Sequence, residues 1–287
     1  MSIIIQATLT KSYSDIADEL EEDDPFRQHL GASVIGRHCA REVWYGWRWY
    51  TVVQHPAQRK RLFKRGHREE PIVLESLARA GISSNTIDQA TGRQYRFVGY
   101  KGHEGGSGDG FLWNVPDVPV GLWTLFECKT HNDKSYKQVT QMNAHGYNTG
   151  LVEYKPEHYS QCQRYMHAWG LQYTLYAAVN KNDDAREFLL IPYIEEHARQ
   201  VEDRARMIID SDVPPQKISE NPTYYKCSWC DHKQVCKGDA EPHITCRSCI
   251  YAKPVDNGVW TCLNPNHPCE LSRELQLVGC ANYKALL

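Results

Sequence analysis

The chain has 287 residues, of which 41% are hydrophobic and 24% charged, with a formal net charge of −2. This length supports one large domain or a domain with an appendage, and the composition supplies a globular core, so wholesale disorder is excluded. Near-neutrality restricts contact with a polyanion to local basic patches. No run reaches the roughly 18 apolar residues of a membrane span, and the N-terminal Met1-Ser2-Ile3-Ile4-Ile5-Gln6 lacks the basic start and long apolar stretch of a signal peptide, so a cytoplasmic protein is expected.

Residues 10–30 are polar and acidic, with a short helix predicted over 14–21. Residues 33–50 (SVIGRHCAREVWYGWRWY) read as an aromatic-rich helix. A long helix is predicted over 56–80. Its first half is basic (Arg59, Lys60, Arg61, Lys64, Arg65, Arg68), its second half repeats Ile72, Val73, Leu77 and Ala80 at helical spacing, and Gly81 is placed to cap it. Strands follow at 95–100, 108–113 and 121–129, the last two joined as a hairpin across 114–119. Helices at 132–146 and 157–170, strands at 173–180 and 187–193, and a charged amphipathic helix at 194–209 complete the periodic part. After Pro214-Pro215 the periodicity fades and cysteines dominate. The expected organisation is an N-terminal segment (1–32), a core (33–240) and a small cysteine-rich module (241–287). This order of elements predicts an α/β (α+β) fold, a mixed sheet with helices on its faces.

The densest chemistry lies in Gly108-Asp109-Gly110 and Phe126-Glu127-Cys128-Lys129-Thr130. On a strand, residues i and i+2 share a face, so Glu127 and Lys129 project together and Cys128 points the other way. Two carboxylates and an ammonium gathered on one surface stabilise a fold poorly. They suit a hard divalent cation held against a phosphate, because such cations take carboxylate oxygens and a lysine balances developing negative charge. The competing reading of Glu127 and Lys129 is a surface ion pair on a sheet.

Taken together, these residues resemble the PD-(D/E)XK nuclease superfamily, in particular the phage lambda-type and YqaJ-type recombination exonucleases and the RecB-like nucleases. Gly66-His67-Arg68-Glu69-Glu70-Pro71 is similar to the family's helix motif and implies Glu70 as a first metal-binding acid, with His67 as the rival ligand. Asp109 resembles the second-motif aspartate, although Gly108 stands where the family often has proline. Glu127-Cys128-Lys129 resembles the E-x-K motif, and Gln161-Cys162-Gln163-Arg164-Tyr165 the Q-x-x-x-Y helix motif. The resemblance spans residues 35–236 and implies a restriction-endonuclease-like core. It also implies Mg²⁺ or Mn²⁺ held by Glu70, Asp109, Glu127 and the Cys128 carbonyl, and hydrolysis assisted by Lys129. Gln161 and Tyr165 share a helix face by the i, i+4 rule and would touch DNA or position Lys129.

Eleven cysteines in a reducing compartment point to metal. Cys128 and Cys162 lie in apolar-periodic elements and read as core residues. Cys39 with Cys227, Cys230 and Cys236 resembles the arrangement in AddB-type and CRISPR-associated members, in which one upstream and three downstream cysteines hold a [4Fe–4S] cluster. The rival is a zinc ribbon from Cys227, Cys230, Cys246 and Cys249. If the cluster takes the first set, Cys246, Cys249, Cys262 and Cys280 form a tetrahedral Zn²⁺ site, with Cys269 and His267 as alternates.

Arg59, Arg61, Lys64, Arg65 and Arg68, followed by Lys134 and Lys137, are candidate phosphate contacts, against the alternative of a solvated basic face. Trp44, Trp47 and Trp49 either stack bases or pack the core. The functional expectation is a metal-dependent DNA exonuclease, phage- or prophage-encoded. The resemblance implies DNA-end resection for recombination or repair, with a single-strand annealing protein as partner and a homo-oligomeric ring. The alternatives are a DNA-binding scaffold of the same fold without cleavage, and a nuclease recruited to a protein partner by its cysteine-rich tail.

Overall fold

The structure, a computed structural model, describes residues 26–144 and 148–286. The helix expected over 14–21 lies outside these residues, as does part of the one expected over 132–146. In chain order the elements are β1 (Leu30–Gly31), α1 (Ala32–Ile35), α2 (Ala40–Trp47), α3 (Ala57–Arg79), β2 (Ser83–Asn85), β3 (Ile87–Asp88), β4 (Arg93–Gln94), β5 (Arg96–Val98), β6 (Glu104–Ser107), β7 (Gly110–Trp113) and β8 (Thr124–His131). They continue with α4 (Asp133–Val139), α5 (Gly150–Tyr154), α6 (Pro156–Trp169), β9 (Tyr173–Asn180), β10 (Arg186–Pro192), α7 (Glu195–Asp210), α8 (Lys233–Lys237), β11 (Ala252–Pro254), β12 (Trp260–Cys262), β13 (Cys269–Leu271) and α9 (Arg273–Gln276).

The main sheet runs β10–β9–β8–β7–β2, with β8 and β9 parallel and the other pairs antiparallel. A parallel pair needs a long crossover, supplied here by α4, α5 and α6. On one face, Val73 and Leu77 of α3 pack on Phe126, Cys128, Leu175 and Ala177. On the other, Cys162, Tyr165 and Met166 of α6 pack on Leu125, Tyr176, Ala178 and Ile191. The alternation along β8 thus sends successive side chains to two covered faces. The expected mixed α/β architecture with flanking helices is present.

The single helix expected over 33–50 is two helices, broken at 36–39. Cys39 takes an extended backbone and its Sγ accepts from the Glu42 amide, so the thiol caps α2 instead of continuing a helix. The strand expected over 95–100 is short and leaves the main sheet: β5 joins β6 and β1 in a separate three-stranded sheet. That small sheet is tied to α6 by a buried bidentate pair in which Arg164 donates to both Glu104 oxygens at 2.7 and 2.8 Å.

A second core joins early and late parts of the described residues. Trp44, Tyr45, Trp47 and Tyr50 pack with Val201, Ala205, Ile208 and Ile209 of α7 and with Ala252, Trp260 and Leu271 of the cysteine-rich tail. The three tryptophans of α2 and its exit are buried, which settles them as core residues. At the centre lies Arg247, whose guanidinium is 3.9 Å from the Trp49 ring centroid, 4.5 Å from Trp260 and 4.8 Å from Trp47. It donates to the carbonyls of Gln28 at 2.7 Å and Trp47 at 3.2 Å and to Gln276 Oε1 at 2.9 Å. Burial and the nearby Arg48 push its proton affinity well below the usual arginine range. A planar fork of five donors sandwiched between indoles is a role that lysine fills badly. Arg247→Ala strips a partner from three acceptors, two of them buried, and opens a cavity, and it is expected to cost about 3 kcal/mol. A thermal melt followed by tryptophan fluorescence should show a midpoint lower by about 5–10 °C, with Arg247→Lys recovering only part of the loss.

Candidate active site

The site is built where β7 and β8 diverge. Gly110 and Phe126 are register partners, so Asp109 stands opposite Glu127 just beyond the paired stretch. Gly110 has φ of +153°, a conformation that L side chains rarely adopt, and a Cβ there would press on Asn85 O at 3.1 Å. This turn directs Asp109 at the neighbouring strand, where its Oδ2 accepts from the Cys128 amide at 2.8 Å. The N–H and C=O of a strand residue leave by the same edge, so the Cys128 carbonyl opens toward the Asp109 side.

Glu127 is fully buried on the α6 face. Its Oε1 accepts from Gln161 Nε2 at 2.8 Å and from the Lys129 ammonium. Its Oε2 has no hydrogen-bond partner among the described residues, and neither has Gln161 Oε1. Burial first, and then the Asp109 charge, raise the Glu127 carboxyl to about 8. Lys129 shows the opposite balance: burial disfavours its charge, but Glu127 and Asp109 outweigh that and hold the proton more tightly than usual. Glu70 enters from α3, one turn before Val73, with its side chain 19% exposed. Burial and Asp109 raise it as well. Pro71, inside α3, has no N–H to return to the His67 carbonyl.

Glu70, Asp109, Glu127 and Lys129 are therefore neighbours from three separate elements. His67 stands at the rim of the site: its side chain is 81% exposed, with Nδ1 3.4 Å from Glu70 Oε1. Gln161 contacts Glu127 directly, whereas the Tyr165 hydroxyl donates to the Ser107 carbonyl at 2.9 Å and so fixes the strand leading to Asp109. That approach needs Gly106, because a Cβ there would lie 2.4 Å from the Tyr165 oxygen. Among the described residues no three His, Cys, Asp or Glu side chains close on one point at ion-ligating distance. The donor set nonetheless fits a hard cation: clustered carboxylates with raised proton affinity and one buried carboxylate oxygen without a partner.

A polar chain that no sequence motif marks runs beside the site. His131 follows Glu127 and Lys129 on the same face of β8. Its Nε2 and His158 Nδ1 both meet the Tyr176 hydroxyl, at 2.9 and 2.8 Å, and its Nδ1 meets Ser135 Oγ at 2.9 Å. Burial depresses both imidazoles, His131 to about 4, with Lys155 and Lys129 adding to the effect. Both rings are neutral and bond without adding charge. The period-2 alternation 127, 129, 131 was the available signal.

The candidate phosphate contacts scatter. Arg59 reaches Asp231 at 3.7 Å, and Arg65 reaches Glu69 at 3.6 Å and Asp184 at 3.1 Å. Lys64 and Arg68 are exposed on α3, where Arg61 is half-buried, and Lys134 and Lys137 are exposed on α4, which leaves directly from the end of β8.

The cysteines fall into two groups. Cys39, Cys227, Cys230 and Cys236 line one cavity, together with Glu42 and Tyr45. Burial raises the Cys230 thiol to about 11, and Glu42, Cys39 and Cys236 push it further in the same direction. Four thiols on one cavity, one of them already accepting a backbone N–H, match the donors a [4Fe–4S] cluster requires. In the tail, burial raises Cys246 to about 11, with Cys280, Cys249, Cys262 and Cys269 acting on it. Cys262 and Cys269 are direct cross-strand partners, so these tail thiols are neighbours, although no three of them close on one point among the described residues. His267 is not among the groups acting on Cys246.

No family model matches the chain, and no curated protein matches it. Among the described residues no helix is long and apolar enough to cross a membrane. Among solved structures, the chain is similar to LHK-Exo in complex with dAMP, at 16% identity over 63% of this chain and 86% of that one, with a TM-score of 0.41. It is also similar to an alkaline exonuclease (LHK-Exo) from Laribacter hongkongensis, at 15% identity over 68% of this chain and 89% of that one, with a TM-score of 0.40.

Proposed function

We propose that this chain is a Mg²⁺- or Mn²⁺-dependent deoxyribonuclease that hydrolyses phosphodiester bonds at DNA ends. The observation that carries this reading is the meeting of Glu70, Asp109, Glu127 and Lys129, with the inner oxygen of Glu127 buried and unpartnered. Asp109, Glu127, Glu70 and the Cys128 carbonyl would hold the cation. When bound, it supplies Lewis-acid polarisation of the phosphate and a more acidic water. Gln161 and Lys129 keep the Glu127 carboxylate in one orientation. Lys129, firmly protonated, neutralises charge that develops on the phosphate as water adds to phosphorus and one P–O bond breaks. Tyr165 acts at one remove, fixing the strand before Asp109. The exposed basic side chains of α3 and α4 would meet the strand backbone. The setting we read for this activity is phage or prophage recombination or repair, with a single-strand annealing protein as partner.

The same proposal covers the sulfur ligands: Cys39, Cys227, Cys230 and Cys236 hold a [4Fe–4S] cluster that clamps the two ends of the core, and Cys246, Cys249, Cys262 and Cys280 hold Zn²⁺, Cys269 being the alternate.

End-labelled linear DNA should be degraded in Mg²⁺ or Mn²⁺ and spared in chelator, with closed circular DNA untouched. Asp109→Asn and Glu127→Gln should each slow degradation by about 100-fold or more; an Asp109→Asn protein as fast as the parent would end the nuclease reading. Protein purified without oxygen should be brown and carry about four iron atoms with acid-labile sulfide, and Cys39→Ser should lose both. A colourless parent containing only zinc would return Cys227 and Cys230 to the zinc-ribbon alternative.

A further inference from the structure

On the α6 face of the main sheet, one row of side chains away from the acids, lies a cavity of about 410 Å³ lined by Asn85, Tyr95, Phe111, Trp123, Trp169 and Leu171. Its size is within the range that holds small organic ligands. No acid or base lines it. Trp123 is 44% exposed, and Leu122 beside it is also open to solvent. Trp123 also packs on Trp113, with ring centroids 5.0 Å apart.

The cavity lies one sheet row from the candidate active site. Phe111 pairs with Leu125 on one side and Asn85 on the other, so these three share a row across the sheet. Asp109 and Glu127 form the next row, two residues along, at a separation of about 7 Å. A phosphate held at the acids and the base attached to it can span that distance together. Trp169 joins the two places. It sits one turn beyond Tyr165 on α6, and its ring covers Gly108 so closely that a Cβ there would be 2.9 Å from it. From Tyr165 the aromatic contacts run to Trp169 at 5.1 Å, to Phe111 at 5.2 Å and to Tyr95 at 4.5 Å. Asn85 donates to the Tyr95 hydroxyl at 2.8 Å, which fixes the far wall.

We propose that this groove is a base-stacking subsite, which takes an unpaired nucleobase of the strand whose phosphate lies at Asp109 and Glu127. The proposal rests on the nuclease reading for the placement of the phosphate. Stacking on aromatic faces accepts every base, because each has a π-face. A groove without charges therefore binds a single strand with little regard to sequence and needs the strand to be unpaired where it enters. It would favour frayed or single-stranded ends over closed duplex.

The test compares a short oligo-dT with an abasic strand of equal length and charge, by fluorescence anisotropy in an Asp109→Asn background. The base-bearing strand should bind about 10-fold tighter or better. Trp123→Ala should remove most of that preference while leaving abasic binding unchanged, Tyr95→Leu should weaken it, and Trp123→Phe should keep it. Equal binding of the two strands by the starting protein would overturn the proposal, as would a preference that survives Trp123→Ala and Tyr95→Leu. So would sedimentation showing that Trp123→Ala dissociates an oligomer while the preference stays, since the groove would then belong to a second copy of the chain. Hydrolysis of linear DNA by the unsubstituted chain is scored separately. Hydrolysis without base preference removes the groove alone, whereas base preference without hydrolysis supports the groove and removes the nuclease reading.

Discussion

A strand covered on both faces cannot carry a carboxylate unless something answers its charge, and β8 carries one at its centre. Glu127 is fully buried, and the surrounding structure is organised around that fact. Lys129 and Gln161 answer one oxygen. The other has no hydrogen-bond partner among the described residues, and after burial itself the Asp109 and Glu70 charges raise the proton affinity of the carboxyl further. Isolated buried charge costs several kcal/mol in a folded protein. Its retention in a strand otherwise made of Leu125, Phe126 and Cys128 is more intelligible as a site than as a source of stability.

The positions of the helices follow. α6 must bring Gln161 to Glu127 and Tyr165 to Ser107, and its orientation is locked from the outside by the Arg164–Glu104 pair. α3 must bring Glu70 over the end of β8, and it does so with the same face that buries Val73 and Leu77. Packing and chemistry thus share the same helix faces. A shift that relieved the charge would also undo the core. The Trp169 ring extends this economy: it closes the core against Gly108 and forms a wall of the outer groove.

Much of the fold was legible because its signals are local. The period-2 alternation through β8, the turn residues between β7 and β8, and the long amphipathic run of α3 each declare an element within a short window. The break before α2 was not legible, because it depends on the Cys39 thiol capping a helix, and thiols are weak and uncommon caps. The β1–β6–β5 sheet was hidden for another reason: its strands are very short and β1 pairs with a segment distant in sequence. At the site, residues joined by motif and alternation could be grouped from the sequence, whereas the His131–Tyr176–His158 chain needed α6 to be laid over β9. The basic run of α3 shows what a local window omits. Arg59 and Arg65 are partly engaged with acids from distant loops, Asp231 and Asp184, that no local window contains.

The core shared by α2 and the cysteine-rich tail also sets an order of events during synthesis. Trp44, Trp47 and Arg48 emerge from the ribosome early, but their partners Ser211, Arg247, Ala252 and Trp260 are among the later residues translated. Until then, two indoles and a guanidinium destined for the interior lack the late partners that cover them. The nascent chain therefore carries a sticky aromatic segment for some 200 residues of elongation. Chaperone demand should concentrate there until the strands of the cysteine-rich tail dock.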